Sequence, residues 1–74
     1  MKISSYFDNE QINMLKKENI DIIMDFNYDD LENLEDKVYN LMMDNLDEKQ
    51  DFTDIARKWE LILDIIVKIE NNLQ

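Results

Sequence analysis

Neither glycine nor proline occurs anywhere in this 74-residue chain. Without them the tight two-residue hairpin, the glycine-rich phosphate loop and the polyproline segment are all out of reach. Helix interiors, which those two residues disrupt, are favoured instead. Cysteine and histidine are absent as well, so no disulfide and no zinc site of the Cys/His type can staple the fold. A chain this short buries only roughly 60% of its unfolded surface and usually needs such a staple or a partner. Efficient helix packing, oligomerisation or both must serve in its place. The apolar content of 45% is ordinary for a globular domain and too high for a disordered acidic tail.

Local signals divide the chain into three helices over about 8–18, 28–45 and 52–72, in a single domain. Asp8 with Gln11 forms a capping box, and Asn19 is placed to end the first helix in a left-handed conformation. Ile12 and Leu15 give that helix a short apolar face. From Ile20 to Tyr28 the apolar residues fall on alternate positions (Ile20, Ile22, Met24, Phe26, Tyr28), the pattern of a half-buried extended segment. Such a segment is either a connector packed on helices or a strand paired with another chain.

The second helix begins after Asn27, with Asp29, Asp30 and Glu32 near its positive end. Leu31, Leu34, Val38 and Leu41 form its seam, Asn45 ends it, and Tyr28, Tyr39, Met42 and Leu46 make a second stripe. After a polar loop at 46–52, Ile55, Trp59, Ile62, Ile66, Ile69 and Leu73 step by threes and fours along the third helix. The expected fold class is all-α: an antiparallel αα-hairpin of the second and third helices, with the short first helix and the connector closing one side. Leu61 and Ile65 flank one edge of the third seam, and Leu63 and Val67 the other. That arc is wider than a simple amphipathic helix requires. Either the third helix is the centre of a three-helix core, or Leu61, Leu63, Ile65 and Val67 meet another chain and the molecule dimerises into a bundle.

Charge is concentrated in the middle. Between Glu18 and Asp54 thirteen acidic residues face only Lys37 and Lys49, for a net −11; the remainder, six basic against five acidic, carries +1. This field repels nucleic acid, acidic membrane and phosphorylated ligands and attracts basic protein surfaces. Direct nucleic-acid binding is therefore not expected: Lys16-Lys17 and Arg57-Lys58 read as helix-end or solvated charges, and Trp59 sits in the seam as core. No apolar run approaches the ~18 residues of a membrane span, and no signal-peptide core is present, which makes the cytoplasm the default compartment.

Catalysis is not expected either. The only hydroxyls outside tyrosine are Ser4, Ser5 and Thr53, and close carboxylate pairs arise by chance on so acidic a surface. Asp25, Asn27 and Asp29 occupy positions 1, 3 and 5 of a calcium loop, but Asp30 stands where Gly is needed, Glu32 where an apolar residue is expected, and Asp36, at position 12, is shorter than the bidentate Glu required. No metal and no cofactor is assigned. The acidic stretch reads in two ways. It is a solvated surface that keeps a small apolar domain soluble, or a helix of carboxylates that imitates a run of phosphates and docks on a cationic groove. Asp29, Asp30, Glu32, Glu35 and Asp36 are the candidate contacts for such a partner.

Two blocks carry a resemblance: Met14-Leu15-Lys16-Lys17 followed by Asp29-Asp30-Leu31 and Leu34-Glu35-Asp36-Lys37-Val38, and Leu46-Asp47-Glu48 followed by Ala56-Arg57 and Glu60-Leu61-Ile62-Leu63-Asp64. They span about residues 14–66 and consist of common helix formers. In them the chain resembles a family of small acidic proteins of unknown function carried by Firmicutes, their prophages and mobile elements. The likeness implies a helical fold and a phage or mobile-element setting; it implies no activity. Members often carry Gly where this chain has Asn19, Asn45 or Ala56, a departure that bears on the turns.

Overall fold

The computed structural model describes residues 1–73. A 3-10 turn, Ser4–Tyr6, precedes three helices: α1 (Asn9–Lys17), α2 (Tyr28–Asp44) and α3 (Asp54–Leu73). Helices α2 and α3 pack along each other as the expected αα-hairpin, and no strand occurs among the described residues.

Local chemistry explains where each helix starts and stops. The Gln11 amide donates to Asp8 Oδ1 at 2.8 Å and the Asp8 amide to Gln11 Oε1 at 2.9 Å, the reciprocal capping box expected for α1. At the other end Asn19 adopts φ 60°, the Ile20 amide donates to the Leu15 carbonyl and the Asn19 amide to the Lys16 carbonyl. That is a Schellman motif with Asn in the position usually given to Gly. A second capping box, Asn27 with Asp30, opens α2. The loop from α2 to α3 is tied by Asp47, whose Oδ1 accepts from the Lys49 and Asp51 amides, both at 2.9 Å. Thr53 then donates its hydroxyl to the Asn45 carbonyl and accepts from the Ala56 amide, so one side chain both closes the loop and caps α3.

The core comprises Leu15 of α1, Leu31, Leu34, Val38 and Met42 of α2, and Trp59, Ile62, Ile66 and Ile69 of α3, with Ile3, Phe7, Ile22 and Phe26 from the non-helical segments. The alternating segment is a connector: Ile22 and Phe26 are buried, Ile20 half-buried, Met24 exposed. Its pairing is within the chain, through a bridge between Lys2 and Asp25 and a 2.7 Å bond from the Phe26 amide to the Met1 carbonyl.

Three seam positions differ from the sequence expectation. Met42 is buried in place of Leu41, which is half-buried: a straight helix continues the stripe by a step of four where the heptad pattern used three. Ile55 and Leu73 are exposed at the two ends of α3, and Ala56 and Glu70 take the inward positions. The polar member of that pair leads to the candidate site.

Candidate functional site

Glu70 lies in the last turn of α3 and is only 8% exposed. Among the described residues every other buried side chain is apolar. Its Oε1 has no hydrogen-bond partner. Burial alone penalises its charged form, and its neighbours add to the penalty: the Glu35 carboxyl lies within hydrogen-bonding reach, and Glu32 and Asp36 contribute further negative charge, so that Glu70 is pushed up to about 7. The last turn of α3 holds no basic residue, and the negative end of the helix dipole opposes a carboxylate there as well.

The four carboxyls form a graded cluster. Glu32 and Asp36 are exposed, Glu35 is half-buried and Glu70 is buried. They come together because Glu32, Glu35 and Asp36 follow the i, i+3, i+4 spacing along one flank of α2, and α3 brings Glu70 against that flank.

Of the five candidate contacts, three therefore belong to this cluster. Asp30 does not: its carboxylate accepts from the Asn27 amide at 3.1 Å and it lines a depression of about 340 Å³ between the connector and α2, with Ile20, Met24, Phe26 and Lys37. Asp29 is exposed in the first turn of α2, where it faces the positive helix end. Glu70 is the member that sequence reasoning missed. Its one available signal was its step of four from Ile66, which continues the buried face, but Leu73 offered an apolar alternative one turn on.

The apolar candidates on α3 separate into two edges. Leu61 is 57% exposed and Val67 38% exposed, while Leu63 and Ile65 are half-buried and pack against the molecule's own core. At ~100° per residue Leu61 and Val67 lie about 120° apart around α3, so the four do not form one continuous face.

The calcium-like string is taken up by the backbone: Asn27 caps α2, Asp25 bridges to Lys2, and Asp29 and Asp36 lie on the helix. Among the described residues no group of three or more His, Cys, Asp or Glu is arranged to hold a metal ion, and no helix is long and apolar enough to cross a membrane. Comparison with family models, curated proteins and solved structures returned no match.

Proposed function

We propose that this protein is a non-catalytic, acidic protein-binding module whose target is a basic protein surface. The observation that carries this reading is Glu70, a buried carboxyl set among three others with no basic residue beside it in its turn. Local conflict of this kind opposes folding, and perturbed, mutually repelling groups concentrate where a protein binds or acts. A cationic partner would relieve it. The resemblance to acidic proteins of prophages and mobile elements suggests the setting: a host or defence nucleic-acid-binding protein, inhibited because the carboxylates of α2 stand in for phosphates.

The test is charge reversal. Asp30 is tied into the α2 capping box, so the informative variant replaces Glu32, Glu35 and Asp36 with Lys and leaves Asp29 and Asp30 in place. A tagged chain is used as bait and eluted with a salt gradient. The native chain is expected to release a basic protein at moderate salt, since such contacts are screened within ~10 Å at 0.1 M. The triple variant should retain its helicity and lose that protein. Retention of the same partner at the same salt would refute the electrostatic reading.

A second reading is self-association through α3, as a structural or adaptor protein. The exposure of Leu61 and Val67 on that helix favours it.

A further inference from the structure

We propose that the Glu35–Glu70 carboxyl pair is the seat for one guanidinium group of the basic partner, and that the guanidinium enters in exchange for a proton. The inference deepens the protein-binding reading and rests on it. Two observations carry it. The first is the gradient of exposure, from Glu32 and Asp36 at the surface through half-buried Glu35 to buried Glu70, four carboxyls of one charge sign on α2 and α3. The second is independent of the cluster's charge: Glu70 is more than nine-tenths buried, faces Glu35, and has an oxygen with no partner in the molecule.

Buried polar atoms are satisfied in the great majority of native structures, so the orphaned Glu70 oxygen requires an explanation. Two carboxyls within hydrogen-bonding reach need something positive between them. A proton does this when the chain is alone, held in an O–H bond of one carboxyl and shared with the other. A guanidinium does it better, because its planar fork donates to two carboxylates at once. On docking, the carboxyl O–H bond breaks, the proton leaves to solvent, and both carboxylates accept N–H bonds from the guanidinium. The charged groups acting on Glu70 are Glu35, Glu32 and Asp36, all from α2, so nothing in that set competes as a cation.

This exchange gives binding a particular pH signature. Glu70 must be ionised to accept the guanidinium, so affinity should rise by about tenfold from pH 6 to pH 8 and then level off. The probe is a tetra-arginine amide, titrated at constant ionic strength into the full chain, with the Glu70 side-chain carboxyl followed by ¹³C NMR. For the native chain the expectation is the tenfold rise and a fall of the Glu70 titration midpoint toward the ordinary carboxylate range at saturating peptide. Glu70→Gln should show no rise over the same range and bind at least tenfold more weakly than the native chain at pH 8. Asp64→Asn, an exposed acid on α3 outside the cluster, should keep the native pH profile. Absence of peptide binding, or a Glu70→Gln profile that matches the native one, would overturn the proposal. If the peptide binds Glu70→Gln with a native profile but fails to bind the triple Lys variant, the inference falls and the acidic-face reading stands. If both variants bind like the native chain, both fall.

Discussion

At the scale of single residues, Glu70 sets the pH behaviour of the molecule. Its carboxyl is held at about 7 in the folded chain against an ordinary 4.5, so between those values the folded state binds a proton that the unfolded state does not. The sign follows: stability rises as pH falls through about 7 and the gain is complete near 4.5, whereas above 7 the ionised group opposes folding in full. At ~1.4 kcal/mol per pKa unit the opposition is on the order of 3 kcal/mol, a large share of the stability of so small a domain. Glu70→Gln removes the charge and offers an amide donor to Glu35. It is expected to raise Tm by roughly 10–20 °C at pH 8.5, to leave it nearly unchanged at pH 5, and to abolish the part of the stability profile between about 4.5 and 7. Thermal melts of the two chains across that range check this. Equal Tm values at pH 8.5 would mean that Glu70 reaches solvent when ionised.

Among the elements, the ends of helices were readable from local sequence and their burial was not. The Asp8–Gln11 box, the left-handed Asn19 and the stop at Asn45 depend on neighbours within a few positions, and all three occur as expected. The N-terminal Ile3 and Phe7 are buried with the helical core, yet no periodicity marks them; residues 1–2 pair with 25–26, a contact far along the chain, and so bring this segment onto the core. Glu70 escaped for the same reason, since the pattern of one helix does not show which side its partner covers. Within the α2–α3 loop the polar composition hid a specific device. Asp47 accepts from two amides, and Gln50 reaches φ 65° beside it without glycine. Asp47→Ala is expected to lower stability by roughly 1–2 kcal/mol, as two loop amides lose their acceptor. Urea unfolding monitored at Trp59 measures it, and a change below ~0.3 kcal/mol would show that the Leu46–Phe52 bridge holds the loop unaided.

For the whole molecule, the question is what covers the flank of α3. The Cα envelope of 38 × 24 × 17 Å is little more than two helix layers thick, and α1, with nine residues, spans less than half the length of the 20-residue α3. Charge decides how two copies would meet if they do. The negative field is centred on α2 and its flanking segments, while α3 carries four acidic and three basic residues. Contact along α3 through Leu61 or Val67 keeps the two α2 helices apart, and contact along α2 would be opposed by the repulsion of like fields. A dimer formed that way would show itself in its melting. Hundredfold dilution destabilises a dimer by about 2.7 kcal/mol, about 1.4 kcal/mol per chain, and for a domain of this size that lowers Tm by roughly 5–10 °C. Leu61→Glu with Val67→Glu should remove the concentration dependence while preserving the helicity, because both residues are exposed in the isolated chain. A Tm that stays constant across the dilution would exclude the dimer in that range and leave the carboxylate flank of α2, with Glu70 behind it, as the working surface.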